Sequence, residues 1–254
     1  MKRITAVIPT MLKNLNILTG LIDNLAADLS VEEIIIINNS NEKFSYNNPK
    51  VRIISKNKNL YVNPSWNLGV SEAKTEYITL VNDDIIIPPN FCSDVLEKFD
   101  ENIGIAGIDG RYVRNIHNCE GDIDIIQREL GNMNEIVLFP VSYRTKNFGV
   151  MMFFNKKIYK PIPEDLKIFF GDDYLVYFAK KRKRQNVVIA GKEVFHVGSL
   201  TSKIFKDVAL KENITWKKYI FPWYKRILYL YERDTHYVLN ILFMQFSIKK
   251  SCEI

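Results

Sequence analysis

Short runs of residues that are apolar at nearly every position recur along the first part of this 254-residue chain. Between them lie longer segments whose apolar residues follow helical spacing, which predicts amphipathic helices. A strand that is apolar throughout is buried on both faces, and such strands belong to parallel sheets that helices cover on both sides. We therefore predict an α/β fold with a mostly parallel central sheet. The predicted strands are Ile4–Thr10, Glu33–Ile37, Val51–Ile54, Glu76–Val81 and Ile103–Ile108, and the predicted helices between them are Leu12–Leu29, Asn63–Ala73 and Pro89–Phe99.

Polar side chains stand where these strands end. They are Thr10 after the first strand, Asn38 and Asn39 after the second, and Asn82-Asp83-Asp84 after the fourth. Two adjacent carboxylates at the end of a buried strand repel each other and lose solvation, which a divalent cation beside an anionic ligand would offset. Asn-Asp-Asp is also good turn chemistry. Because the ends of parallel strands share one ligand-binding edge, their convergence favours a metal site that holds a phosphorylated ligand.

The net charge of +6 favours anionic partners, namely phosphates, a membrane surface or nucleic acid. The three cysteines are scattered, so neither a cysteine metal site nor a disulfide framework is predicted. No stretch approaches the length of a membrane-spanning helix, and the apolar run after Met1 is too short for a signal peptide. We expect a cytoplasmic protein that at most lies at the periphery of a membrane.

Two common phosphate-binding motifs are missing after the first strand. The sequence there contains neither Gly-x-Gly-x-x-Gly nor a Walker-type Gly-Lys-Ser or Gly-Lys-Thr, which argues against a dinucleotide-binding Rossmann domain and a P-loop NTPase. A nucleotidyltransferase would carry a glycine-rich basic loop, and Pro9-Thr10-Met11-Leu12 is not one. The phosphate-binding groups are therefore expected at the polar strand ends.

The chain after residue 108 is less regular and predicts loops with short strands over residues 109–147. Gly171-Asp172-Asp173 opens a predicted helix that runs to about Arg184. Acidic residues in a first helical turn favour the helix dipole, so simple capping is an alternative to a catalytic role for both aspartates. Further strands are predicted at Phe148–Phe154, Val187–Ala190 and Val194–Val197, the last of which contains His196.

Residues 206–254 differ in composition from the rest of the chain. Aromatic and aliphatic residues lie there at helical spacing with lysine and arginine beside them, which predicts an amphipathic helical extension. Three interpretations of this extension stay open: it packs on the rest of the chain or on a second subunit of a homodimer, lies on an anionic membrane, or contacts nucleic acid. The residues at helical spacing are Ile220, Trp223, Tyr224, Ile227, Leu228 and Tyr231.

In their order and spacing, these features resemble the nucleotide-sugar-dependent glycosyltransferases of family 2, which have the GT-A fold. The resemblance covers roughly residues 3–202. It implies a single GT-A domain with a nucleotide-sugar-binding half (1–108) and an acceptor-binding half (109–205), followed by the C-terminal helical extension (206–254). The matching motifs are Ala6–Thr10, Glu33–Ser40, Asn59, Asn67-Leu68-Gly69, Ala73–Tyr77, Asn82-Asp83-Asp84 in place of the Asp-x-Asp motif, and Gly171-Asp172-Asp173 in place of the acidic pair that carries the base.

The resemblance also implies roles for single residues. Mn²⁺ or Mg²⁺ would be bound by Asp84, with His196 at the metal or the diphosphate. Asp173 would be the catalytic base, with Asp172 as the second candidate. Asn82 replaces the family's usual aspartate, and Trp66 stands where many members have arginine. The nucleotide sugar would be held by Pro9, Thr10, Asn38, Asn39, Asn67, Asn82 and Asp83.

The implied activity is the inverting transfer of a sugar from a nucleotide diphosphate donor to a hydroxyl group of a glycan or glycolipid, as in polysaccharide biosynthesis. A carboxylate at a helix start can take the proton of that hydroxyl group. One alternative is a transferase that acts on a hydroxylated DNA base, although no base-reading motif is present. The other is a non-catalytic sugar-nucleotide-binding scaffold, which would be expected to have lost Asp84 or one member of the acidic pair.

Overall fold

A computed structural model describes residues 2–115, 135–197, 206–220, 228–232, 236–241 and 244–249. Short 3₁₀ turns occupy Gly110–Tyr112, Phe148–Val150 and Lys156–Ile158. The helices and strands in chain order are β1 (Ile4–Thr10), α1 (Leu15–Ala27), β2 (Val31–Asn38), β3 (Val51–Ser55), α2 (Val62–Glu72), β4 (Tyr77–Val81), β5 (Ile85–Ile86), α3 (Phe91–Lys98), β6 (Ile103–Ile108), β7 (Val113–Asn115), β8 (Val137–Val141), β9 (Met151–Asn155), α4 (Gly171–Lys181), β10 (Gln185–Ala190), β11 (Val194–His196), α5 (Lys206–Ile220), β12 (Leu228–Glu232), β13 (His236–Ile241) and β14 (Met244–Lys249).

The central sheet of the described chain has eight strands in the order β3-β2-β1-β4-β9-β6-β10-β8. The first four strands of this order pair in parallel, as do β6 and β10. β9 runs antiparallel between β4 and β6, and β8 runs antiparallel at the edge beside β10. The predicted mostly parallel sheet is confirmed. Because strands from residues 1–108 and from residues 109–205 alternate along it, the two expected halves share one sheet.

Helices cover both faces of this sheet, which explains why most residues of its inner strands are apolar. Successive strand residues point to opposite faces. In β1, Ala6 and Ile8 pack with α1 and α3, whereas Val7 packs with α2, α4 and Trp216 of α5. Fully burying one aliphatic side chain contributes about 1.5–3 kcal/mol to stability. A polar residue on either face would be costly without a hydrogen-bond partner, and the buried Thr5 has one in the hydroxyl group of Thr75.

Helix α2 packs very close to β1 at Gly69. A Cβ atom at this position would lie 2.1 Å from Cγ1 of Val7, a distance that side-chain atoms cannot adopt. Both groups lie in a closely packed part of the core. Glycine at position 69 therefore sets the distance between α2 and the sheet.

We expect Gly69→Ala to lower the free energy of unfolding by about 1–3 kcal/mol, because overpacking against Val7 outweighs the better helix propensity of alanine. Equilibrium urea unfolding measures this change. Ser71→Ala, at an exposed position of the same helix, is the control and should stay within about 0.5 kcal/mol of the wild type. An unchanged or raised stability of Gly69→Ala would contradict the close approach.

A second sheet brings distant parts of the chain to the tip of β4. In it β11 pairs antiparallel with β5, which directly follows Asp83 and Asp84, and in parallel with β7. Ile85 of β5 is the partner of His196. The backbone N–H of Val197 donates to the carbonyl oxygen of Asp84 at 2.9 Å. This pairing places a histidine from late in the sequence beside the two aspartates.

Among the described residues of the C-terminal extension, only 206–220 are helical. α5 lies where a helix was predicted, but β12, β13 and β14 pair as an antiparallel sheet, and the prediction of a helix over these residues is wrong. Tyrosine, valine, isoleucine and phenylalanine favour strands. Over so short a stretch, the apolar spacing also fits the strand period of two. Trp223, Tyr224 and Ile227 lie outside the described residues.

Two helices begin at other residues than predicted. α2 begins at Val62, one residue before the predicted start at Asn63, and has Tyr61 at its N-cap position. α3 begins after both Pro88 and Pro89, with Asn90 at its N-cap position. None of the described helices is both long and apolar enough to cross a lipid bilayer.

Candidate active site

A cavity of about 380 Å³ opens at the carboxyl ends of β1 and β4. The strand tips form one side, and residues 144–150 together with the segment before α4 form another. The sequence analysis predicted that polar side chains meet at this edge of the sheet, and Asn82, Asp83 and Asp84 do line the cavity. The lining residues are Pro9, Val62, Trp66, Asn82, Asp83, Asp84, Arg144, Asn147, Gly149, Val150, Ile168, Phe169, Phe170, Asp172 and His196.

Asp83 is tied to the end of β1 by the side chain of Thr10. The Thr10 hydroxyl group donates to Oδ2 of Asp83 at 2.6 Å and accepts from the backbone N–H of Leu12 at 2.9 Å. The pKa of Asp83 is raised to about 6, mainly because burial disfavours the charged form; the hydrogen bond from Thr10 opposes this shift and the charge of Asp84 adds to it. The strand tip is thus a place where added positive charge would be stabilising.

Asp84 and His196 face each other at the cavity. Nε2 of His196 lies 3.3 Å from Oδ2 of Asp84, and the imidazole is largely buried. The pairing of β5 with β11 holds the backbones of Asp84 and His196 close together. The structure therefore brings together the two residues expected at the metal, and their role as ligands stays a prediction.

The donor set at this point fits a divalent cation that shares its coordination with a bound ligand. Mn²⁺ and Mg²⁺ prefer carboxylate oxygen, and Mn²⁺ also accepts imidazole nitrogen. Within the described residues, no cluster of three or more His, Cys, Asp or Glu side chains could hold a metal ion alone. Asp84 and His196 would therefore supply part of the coordination, and phosphate oxygens and water the remainder, as is usual for Mg²⁺ at substrate phosphates.

Arg144 faces both members of the acidic pair at the start of α4. Its Nε atom lies 2.8 Å from Oδ2 of Asp173 and 3.3 Å from Oδ2 of Asp172. The N-cap position of α4 is occupied by Phe170, with φ of 60°. Oδ1 of Asp172 accepts from the backbone N–H of Asp173 at 2.9 Å, so this aspartate also serves the first turn of the helix. Arg144 was not singled out from the sequence, where a single arginine between Tyr143 and Thr145 carries no motif.

The two aspartates differ in how they meet the cavity. Asp172 lines it, whereas Oδ2 of Asp173 is buried beside Nε of Arg144. Gly149 leaves the room that Asp172 occupies, because a Cβ atom there would lie 2.9 Å from Oδ2 of Asp172. In this ligand-free geometry Asp172, the second candidate of the sequence analysis, is the better placed of the two to reach a bound substrate.

Four predicted donor-binding residues are hydrogen-bonded within the fold, and none of them is among the described residues that line the cavity. One is Thr10, which binds Asp83 and Leu12. Oδ1 of Asn38 accepts from the backbone N–H and the hydroxyl group of Ser40, which forms a tight turn after β2. Asn39 hydrogen-bonds Ser65, and Asn67 binds the backbone of Ile162 through both ends of its amide. These contacts position the strand end and the helix.

Trp66 of α2 lines the cavity. Its side chain is 5% exposed, and within the described part of the chain its Nε1 atom has no hydrogen-bond partner. A buried indole N–H without a partner loses its hydrogen bond to water. A ligand oxygen in the cavity would offset that loss if it came within reach.

Fold and cavity together define a class of protein. It is an α/β sheet protein with Asp84 and His196 at its strand tips and the pair Asp172 and Asp173 at the start of a nearby helix. The strand-tip groups suit a phosphorylated ligand bound with a cation. A sequence profile of glycosyl transferase family 2 matches residues 5–155. Since this is more than half of the chain, the protein belongs to glycosyl transferase family 2. The family expected from the resemblance is confirmed.

Solved structures share the fold at low sequence identity. A crystal structure of GalNAc-T7 with UDP, GalNAc and Mn²⁺ matches 78% of this chain with a TM-score of 0.60 and 11% identity, and a crystal structure of S. aureus TarS 1-349 matches 82% with a TM-score of 0.55 and 14% identity. The chain spans 43% and 65% of these two structures. No curated protein matches it by sequence. The GT-A fold is thereby confirmed.

We expect Thr10→Val to lower the free energy of unfolding by about 1–3 kcal/mol at neutral pH, because Asp83 and the N–H of Leu12 would both lose a partner in a largely buried place. Thr10→Ser keeps the hydroxyl group and is the matched control, which should retain most of the stability. Chemical unfolding of the three proteins measures the difference. Equal stability of the valine and serine variants would contradict this role of the hydroxyl group.

Proposed function

We propose that this protein is a glycosyltransferase that transfers a sugar from a nucleotide diphosphate donor, with a divalent cation, to a hydroxyl group of a glycan or glycolipid, with inversion at the anomeric carbon. The observation that carries the proposal is one cavity lined by Asp84 and His196 and also by Asp172 at the start of α4. Asp84 and His196 suit a metal-bound diphosphate, and Asp172 suits a base. Membership of glycosyl transferase family 2 supports this assignment.

The donor would bind at the strand tips. Pro9, Thr10, Asn82 and Asp83 lie at the carboxyl ends of β1 and β4, where ligands of open α/β sheets bind. A cation held by Asp84 and His196 would neutralise the departing nucleotide diphosphate. The GalNAc-T7 structure, which has the same fold, contains UDP and Mn²⁺.

The transfer itself needs one proton acceptor from the chain. As the acceptor oxygen forms its bond to the anomeric carbon, the bond from that carbon to the diphosphate oxygen breaks, and the electron pair leaves with the nucleotide diphosphate. The hydroxyl proton passes to a carboxylate of the acid pair. Attack on the face opposite the leaving group inverts the configuration. Arg144 would hold the two carboxylates in place for this step.

A non-catalytic sugar-nucleotide-binding protein would need the strand-tip site alone. Here Arg144 orients two further carboxylates at the same cavity, and Gly149 leaves the room that Asp172 requires. These features favour an enzyme over a scaffold. The chemistry also fits any acceptor that offers a hydroxyl group, including a hydroxylated DNA base.

We expect nucleotide diphosphates to stabilise the protein against thermal unfolding only when Mn²⁺ is present. A ligand at 100 times its dissociation constant adds about 2.7 kcal/mol. Asp84→Asn should lose this stabilisation because the cation loses its carboxylate ligand, whereas Glu97→Gln, which removes an exposed acid on α3, should keep it. Scanning UDP, GDP, ADP and CDP would also give the preferred base. A folded wild type that no nucleotide stabilises would contradict the donor site.

We expect removal of the base to lower kcat by about 10²–10⁴ with little change in the KM for the donor, since positioned acid–base groups contribute this much. The variants Asp172→Asn and Asp173→Asn, assayed side by side with a nucleotide sugar and an acceptor panel, assign the role. The cavity geometry predicts the larger loss for Asp172→Asn. The reverse order would assign the base to Asp173, and retention of kcat by both would contradict a base in this pair.

A further inference from the structure

Glu212 of α5 lies outside the residues matched by the family profile, yet its carboxylate is directed at the segment before α4. It is 3% exposed. Its oxygens accept hydrogen bonds from three consecutive backbone N–H groups, those of Lys167 at 2.8 Å, Ile168 at 3.2 Å and Phe169 at 2.7 Å. Hydrogen bonds to a charged acceptor are stronger than neutral ones. One side chain thereby satisfies a stretch of backbone that has no partner strand.

The carbonyl groups of the same segment are held from α2. Nδ2 of Asn63 donates to the carbonyl oxygens of Leu166 at 3.1 Å and Phe169 at 3.0 Å. The backbone N–H of Asn63 donates to the carbonyl oxygen of Lys167 at 2.9 Å. A Cβ atom at Gly171 would lie 2.1 Å from Oδ1 of Asn63. The segment is thus fixed by α2 through its carbonyl groups and by α5 through its N–H groups.

Two more side chains of α5 reach the ends of this segment, residues 165–170, which we call the wall segment. The ring of Trp216 stacks against Phe170 with 19° between the planes, and the hydroxyl group of Tyr219 donates to Oδ1 of Asp165 at 2.9 Å. Residues 212, 216 and 219 share one helix face. α5 therefore lies along the whole wall segment.

The wall segment connects these contacts to the cavity. Ile168, Phe169 and Phe170 line it, and Asp172 follows almost directly in the first turn of α4. A shift of the segment would move the lining and the start of α4 together. A misplacement of about 1 Å at reacting groups can cost about 10² in rate.

We propose that Glu212 is a positioning residue of the active site, which makes α5 part of the catalytic unit rather than an independent appendage. It holds the wall segment by its backbone N–H groups and so fixes the acid pair on the acceptor side of the cavity. This inference rests on the proposed glycosyltransferase activity. It assigns no direct contact between Glu212 and a substrate.

The test compares the wild type, Glu212→Gln and Asp207→Asn, the last of which removes an exposed acid from the same helix. Amide hydrogen exchange of the ligand-free proteins should show that residues 167–169 are protected in the wild type and exchange about tenfold faster or more in Glu212→Gln, because the amide NH₂ cannot accept hydrogen bonds. In the transfer assay, kcat of Glu212→Gln should fall about tenfold or more, with the KM for the donor changed less than about threefold. Asp207→Asn should match the wild type in both measurements.

Exchange of residues 167–169 in the wild type at the rate of unprotected amides would overturn the proposal without any variant, so a Glu212→Gln protein that fails to fold does not remove the test. Faster exchange in Glu212→Gln with unchanged kcat would overturn the positioning role. Wild-type protection without detectable sugar transfer would reject the proposed function while leaving the Glu212 contacts intact. The two failures are therefore distinguishable.

Discussion

Two adjacent carboxylates at the tip of a buried strand are the constraint around which the site is arranged. Asp83 loses solvation there, and its pKa rises to about 6 mainly because of burial. The hydroxyl group of Thr10 donates a hydrogen bond to Asp83, and the imidazole of His196 lies beside Asp84. Both positions follow from strand pairing, of β1 with β4 for Thr10 and of β11 with β5 for His196. The cavity exists because the main sheet and the small sheet meet at this tip.

The parallel part of the fold could be predicted because its determinants are local. Strands buried on both faces are apolar throughout, and helices with one buried face show their period directly. The same reasoning placed Pro9, Asn82 and Asp84 at the cavity. It also selected Asn38 and Asn67, whose amides bind backbone groups within the fold. An asparagine at a strand end or in a helix looks the same in sequence whether it holds a ligand or the backbone, and the role of these two at the donor stays a prediction.

The contacts that position the acid pair could not be predicted, because they join positions that sequence patterns do not relate. Arg144 meets Asp173 across an intervening strand, and Glu212 reaches backbone groups 43 to 45 residues away. Neither residue stands in a motif. The strands after α5 were missed for another reason: short apolar stretches fit both periods, and pairing between strands decides the outcome. Local signals thus describe the donor side better than the acceptor side.

The balance of charge in the cavity argues that a cation is essential for the proposed donor. Arg144 is the one lysine or arginine among the described residues that line the cavity, and it faces the acid pair. Trp66 also lines the cavity, and its indole N–H is a neutral donor. A diphosphate would therefore meet Asp83 and Asp84 with little positive charge from the chain. Two like charges 4 Å apart repel by about 4 kcal/mol at an effective dielectric constant of 20. A cation at Asp84 and His196 would reverse the sign of this interaction, so the proposed donor site depends on a cation for charge compensation.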